Sequence, residues 1–296
     1  MCLLFGTGGT TDPTEAYDWL RKSAELGDAQ GQYHFGFHLI NGIAGKRDVK
    51  RGFDWIKLSA EQENSDAESA MGDCFLNGIG VQADPQTAVA WYRKSADQNC
   101  LAGICNLGWC YYRGMGIGQD SAKAIALFRK AAESDDVSSM YGLGVALRNS
   151  VTSVGHNIEA VDWLRRAVEH DHPGALFEFG YCYLTGDGII KDCNAGITYI
   201  RQAAEIGFPE AQSFIGTCCL YGNYVSKNFT EAVNWFRKAA EQGDYNGQIG
   251  LGKCYLYGCG VPRDIPTAAK WLKPAADVGY PEALTNLGEC YESGLL

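Results

Sequence analysis

The sequence predicts an all-α fold, a right-handed α-solenoid of antiparallel helix pairs with a 36-residue repeat. The first observation is register. Gly36, Gly72, Gly108, Gly144, Gly180, Gly216, Gly252 and Gly288 recur every 36 residues with no insertion. Self-similarity at a fixed period of roughly 20–50 residues marks a repeat array. The second is helical spacing around that column: small residues five before it (Gly31 to Ala283), large apolar residues one before it (Phe35 to Leu287), and Leu39, Phe75, Tyr111 and their counterparts three after. Offsets of −5, −1, 0 and +3 share one helical face. The third is punctuation. Glycine recurs six residues after the column glycine, where it suits a left-handed cap, except at Ser150. Asp48, Asp84, Asp120, Asp192, Asn228 and Asp264 then fit helix N-caps, with Asp12 and His156 in the same register.

Taken in order, 1–27 is a partial first unit: Cys2, Gly6 and Gly8 fall in the columns of a helix end and its loop, and Asp12 opens a complete second helix. Full units run from about 28 to 279, with first helices beginning near 28, 64, 100, 136, 172, 208 and 244. Second helices follow each N-cap and carry a small residue (Ala16, Gly52, Ala88 and so on), a large one (Trp19, Trp55, Trp91, Leu127 and so on) and a further small one (Ala24, Ala60, Ala96 and so on) at helical spacing. Residues 280–296 form a partial last unit. Two places depart from the pattern. Residues 148–156 lack both loop glycines and the aspartate, and Pro274 lies late in a second helix, where it should kink or fray it. Because each unit touches only its neighbours, 1–296 is expected to be one elongated domain. The incomplete end units should expose apolar surface, so self-association through the terminal helices is expected.

Composition narrows the function classes. Aromatic residues at 12% and charged residues at 20% exclude a disordered chain. A formal net charge of −10 argues against nucleic acid as a partner, since phosphate binding needs a basic face. No apolar run reaches the roughly 18 residues of a membrane span, so no membrane insertion is expected. Met1 to Phe5 lack the basic start and length of a signal peptide. Seven of the twelve cysteines, from Cys2 to Cys290, occupy one column two after the glycine. Equivalent positions on stacked helices should lie roughly 10 Å apart, whereas a disulfide needs Cα atoms within about 7 Å. The thiols are therefore expected to be free and buried, and the chain cytoplasmic.

No side-chain set carries catalytic chemistry. A wholly basic column (Arg21, Lys57, Arg93, Arg129, Arg165, Arg201, Arg237, Lys273) precedes a wholly acidic one four residues on (Glu25 to Asp277), an i,i+4 ladder worth about 0.2–0.5 kcal/mol per pair. His34 and His38 share a helix face but lack a third ligand, so neither a metal nor a cofactor is expected. The loop glycines lack the lysine of a phosphate loop. The glycosylation sequon at Asn228 falls on a helix cap. No nucleophile–base motif occurs, so an enzyme is not expected.

The run Leu-Gly-x-x-Tyr-x-x-Gly-x-Gly-Val-x-x-Asp, then Ala-x-x-Trp, then Lys-Ala-Ala-Glu-x-Gly resembles the Sel-one-like repeat family, a branch of the tetratricopeptide-like helical repeats. Gly108–Asp120 and Gly252–Gly279 match it best and 144–171 least. The resemblance covers essentially the whole chain. It implies an adaptor scaffold that assembles complexes in signalling, protein quality control or cell-envelope processes. The family's cysteine-rich secreted branch pairs cysteines late in the second helix and early in the next; this chain has mainly alanine there. The resemblance also implies that first helices line a concave wall, with inward positions at −3, +1, +4 and +5 from the column glycine. The candidate partner-binding residues at these offsets are Tyr33, Phe37, Trp109, Tyr112, Arg113, Tyr141, Arg148, Phe177, Tyr181, Tyr221 and Tyr257. Tyr, Trp and Arg dominate binding hot spots; the alternative is that these rings pack between neighbouring first helices. The expected function is a scaffold that binds a protein or peptide in the groove. The alternatives are an architectural segment of a larger protein or an enzyme with a site in that groove.

Overall fold

The computed structural model describes residues 13–45, 47–150 and 154–292. The expectations placed on Cys2, Gly6, Gly8, Asp12 and Gly294 lie outside the described residues. The chain divides into two compact units, Met1–Ser150 and Val151–Leu296, and each is built from helices alone among the described residues. In the first unit the helices are α1 (Pro13–Glu25), α2 (Ala29–Asn41), α3 (Val49–Ala60), α4 (Ser65–Asn77), α5 (Pro85–Asp97), α6 (Leu101–Arg113), α7 (Ser121–Ala132) and α8 (Val137–Arg148). In the second they are α9 (Val154–Val168), α10 (Pro173–Thr185), α11 (Cys193–Glu205), α12 (Pro209–Tyr221), α13 (Phe229–Glu241), α14 (Tyr245–Tyr257), α15 (Ile265–Asp277) and α16 (Pro281–Glu292). Even-numbered helices are the first helices of each pair and odd-numbered ones the second. Within each unit packing runs from each helix to its sequence neighbour, as in an α-solenoid.

Local chemistry sets the helix boundaries. Asp48, Asp84, Asp120, Asp192, Asn228 and Asp264 each accept a backbone N–H of the following first turn. The N–H of each in turn donates to the carbonyl three residues after the column glycine, as in Asp84 N to Phe75 O at 2.8 Å and Asn228 N to Cys219 O at 2.8 Å. One residue thus starts a helix and fastens its loop to the preceding one. Gly42, Gly78, Gly114, Gly186, Gly222 and Gly258 end the first helices in the left-handed conformation. The expectation for 148–156 needs correction. His156 is not a cap but lies inside α9, which begins at Val154 and runs to 15 residues. The cap aspartate and loop glycines that set the other starts are missing from this segment, and the helix begins earlier than in the other second helices. Pro274 does not fray α15, which continues to Asp277; the carbonyl it leaves without a donor belongs to the exposed Lys270.

The column glycines allow close helix approach. A Cβ at Gly36 would lie 2.7 Å from Gly52 O, and one at Gly180 2.7 Å from Gly196 O. Where the second helix carries alanine instead of glycine, a larger side chain fills the gap: Tyr92 against Gly72, Phe128 against Gly108, Phe236 against Gly216. The cysteine column lies in the resulting core, with Cys74, Cys110, Cys182, Cys218, Cys254 and Cys290 buried. None of the eleven described cysteines forms a disulfide.

Candidate functional site

The even-numbered helices present side chains on a face of their own in each unit. In the first unit the candidates form two groups. Tyr33 is tilted against His34 and Phe37, at 5.0 and 6.5 Å between ring centres. Tyr33 and Phe37 line a cavity of about 230 Å³ between α2 and α4, together with Asp66, Ser69, Asp73, Ala102 and Asn106, and with apolar Ile40, Ile56, Cys74 and Ile79. The second group is built around Trp109, which meets Tyr112 edge-on at 5.5 Å, Phe128 edge-on at 5.1 Å and Tyr141 tilted at 5.8 Å. The Arg113 guanidinium lies 4.8 Å from its ring centre. Tyr112 Oη accepts from Asn149 Nδ2 at 2.7 Å, and Arg148 is half-buried at the end of α8.

A polar chain runs from the cavity wall to the buried Tyr92. Gly72 leaves room for the buried Tyr92 ring to pass between the helices. Its hydroxyl donates to Asp73 Oδ1 at 2.7 Å, and Asn106 Nδ2 donates to the same oxygen at 3.2 Å and to Ser69 Oγ at 3.3 Å. Burial raises the Asp73 carboxyl above its usual range, and the Tyr92 bond opposes this. Burial likewise raises the Tyr33 phenol, with Asp66 and Asp73 adding to the shift. The phenol therefore stays a neutral donor. His34 and His38 are both held below the ordinary imidazole value by burial.

In the second unit Phe177 packs on Phe208 at 5.8 Å and Phe214 at 6.0 Å, and Tyr181 meets Phe214 edge-on at 6.4 Å. Tyr221 and Tyr257 are about half exposed, at 54% and 53%, so both rings keep a solvent-facing edge for contact. Lys253 Nζ donates to Tyr221 Oη at 2.8 Å and to Glu282 Oε1 at 2.6 Å. Burial pulls the Lys253 ammonium down, but the bonds to Glu282 and Tyr221 outweigh it and raise it to about 12. Tyr257 Oη donates to Glu289 Oε2 at 2.8 Å and lies 3.3 Å from Asn286 Oδ1.

Several residues on these faces escaped the sequence analysis. Asp73, Lys253 and Glu289 stand at the +1 offset already assigned inward, but selection for aromatics and arginine passed over them. Asn106, Phe214 and Asn286 stand at −2, and Asp66 and Glu282 at −6. These offsets share the +1 face by i,i+3 and i,i+4 spacing. The charge ladder also differs from its expectation. Arg21–Glu25, Lys57–Glu61 and Lys273–Asp277 form at 3.6–3.9 Å. Arg93 and Arg237 instead donate to Tyr111 and Tyr255 of the next first helix, and Arg201 to Glu231 of the next second helix. Among the described residues no group of three or more His, Cys, Asp and Glu side chains could hold a metal ion. No described helix is long and apolar enough to cross a membrane.

The Sel1 repeat matches the chain nine times, over 1–28, 29–64, 65–100, 101–136, 137–172, 173–208, 209–244, 246–280 and 281–296. No curated protein sequence matches. Among solved structures the chain is similar to a Sel1 repeat protein from Oxalobacter formigenes, at 27% identity and TM-score 0.64, over 82% of this chain and 96% of that one. It is also similar to c5321, described as a protective antigen present in uropathogenic Escherichia coli strains and displaying an SLR fold. That match has 27% identity and TM-score 0.52, over 99% of this chain and 70% of that one. Yeast Tom70 shares the fold at 15% identity and TM-score 0.58, over 95% and 58% of the two chains. Nine successive matches that together take in nearly every residue establish that the chain belongs to the Sel1 repeat family.

Proposed function

We propose that the chain is a non-enzymatic scaffold that holds an extended protein or peptide segment along the face of its first helices. The observation that carries this is the clustering of half-exposed aromatic side chains on that face. Trp109, Tyr112 and Tyr141 gather in one unit, and Phe177, Tyr181 and Phe214 in the other. Rigid rings offer large contact area at low entropic cost. Membership of a family of interaction scaffolds supports the same function, and the described thiols, none of them in a disulfide, support a reducing, cytoplasmic setting. Leu284 and Tyr291 of α16 are 52% and 64% exposed, which supports self-association at that end; a light-scattering mass that does not grow with concentration would count against it.

The test uses dodecamer peptides selected by display on the full chain and titrated by calorimetry. Trp109→Ala and Tyr181→Ala should each weaken binding by about 1–3 kcal/mol. Lys57→Ala, on the second-helix surface, should leave it unchanged. Circular dichroism checks that the variants remain folded. Normal binding by both aromatic variants, or unfolding of both, would assign these rings to the inter-repeat core and sink the proposal.

A further inference from the structure

The cavity between α2 and α4 has a composition unlike the rest of the first-helix face. At about 230 Å³ it is smaller than the ~300–1,000 Å³ of a small-molecule pocket and suits one or two side chains. Its lining combines the carboxylates of Asp66 and Asp73 with aliphatic Ile40 and Ile79, which pack against the cluster of the buried Ile56. No lysine or arginine lines it.

Glu282 in the second unit shows one way a carboxylate at the Asp66 position is neutralised. Glu282 stands at the same offset, −6 from its column glycine, and receives Lys253, at +1 on the preceding first helix, at 2.6 Å. In the first unit the +1 residue facing Asp66 is Phe37, an exposed ring with no charge. Asp66 accepts only a weak contact from Cys100 Sγ at 3.6 Å, and Asp73 is held by neutral donors. Neither meets a lysine or arginine among the described residues. The place filled by Lys253 opposite Glu282 is therefore taken by an aromatic ring opposite Asp66, and such a ring favours a cation over its face.

Resting on the scaffold function above, we propose that this cavity recognises a basic residue next to an aliphatic one in the bound segment. The lysine or arginine head lies between Asp66, Asp73 and the Phe37 ring, and the aliphatic neighbour packs against Ile40 and Ile79. A net charge of −10 draws such a segment in and makes its binding salt-dependent.

The test uses the same display selection on the full chain. Selected sequences should carry lysine or arginine beside Leu, Ile, Met or Val. Their synthetic peptides should lose tenfold or more in affinity on the Asp66→Asn/Asp73→Asn variant, which keeps an acceptor for Tyr92. Phe37→Lys, which supplies the cation from within as Lys253 does, should cost a similar factor. Peptides free of basic residues, or full affinity on both variants, overturn the proposal. Peptides indifferent to these variants yet weakened by Trp109→Ala or Tyr181→Ala leave the scaffold function standing. Peptides indifferent to all four overturn both.

Discussion

At the residue scale the turn from each second helix to the next first helix holds one position in the left-handed region. Gly27, Gly207, Gly243 and Gly279 occupy it with φ between 87° and 101°, and a Cβ there would meet nothing within 4 Å. Glu63, Asn99, Asp135 and Asp171 occupy the same column with φ between 53° and 60°. Asparagine and aspartate tolerate this conformation through local hydrogen bonds, whereas a residue such as glutamate carries about 1–2 kcal/mol of strain. The fully open turn leaves nothing to oppose a change to glycine except the ~0.5–1 kcal/mol of extra chain entropy lost on folding. Glu63→Gly is therefore expected to stabilise the chain by about 0.5–1 kcal/mol, read as a rise in urea midpoint at constant slope. A fall in midpoint would show that Glu63 makes a favourable contact that outweighs its backbone strain.

At the element scale the repeat glycines are not equivalent. Gly180→Ala would set a Cβ 2.7 Å from a backbone oxygen of α11, which cannot move without shifting a whole helix. A loss of about 1–3 kcal/mol is expected, as for overpacking in a tight core. At Gly288 a Cβ meets nothing within 4 Å, so Gly288→Ala should gain up to about 1 kcal/mol of helix propensity. Equal effects of the two substitutions on thermal unfolding would contradict this difference in packing. Helix starts, caps and the core columns were legible because each depends on a few neighbours in sequence: Asp84 caps its own helix whatever lies across from it. What depends on the next repeat was not legible. Arg93 and Arg237 forgo the acid four residues on for tyrosines 18 residues away. Asp73 becomes notable only once Tyr92 is seen to reach it through the gap left by Gly72. At 148–156 the signals themselves are missing, and the expected start at His156 failed for that reason.

At the scale of the whole molecule the buried cysteines, those of the repeated column together with Cys105 and Cys219, give the core a shared response to alkali. Burial pushes the thiols of Cys74 and Cys254 up to about 12, and those of Cys105, Cys110, Cys218 and Cys219 to about 11, from 9.0. The folded chain keeps these protons where the unfolded chain releases them, so stability falls with rising pH in that interval. The contribution is complete below pH 9 and is lost progressively between 9 and about 11–12, at up to about 1.4 kcal/mol per thiol for each pH unit. Urea midpoints measured at pH 8, 9, 10 and 10.5 under reducing conditions should be nearly level at first and then drop steeply. A Cys74→Ala/Cys254→Ala variant starts lower because of the cavities it opens, but its alkaline slope should be shallower, since two of the titrating groups are gone. In parallel, a thiol reagent at pH 8 should modify the half-buried Cys100, Cys193 and Cys259 before any cysteine of the core. Identical slopes for the two proteins, or early labelling of Cys74 and Cys254, would mean that the column thiols are not the neutral, water-excluded groups on which this pH dependence rests.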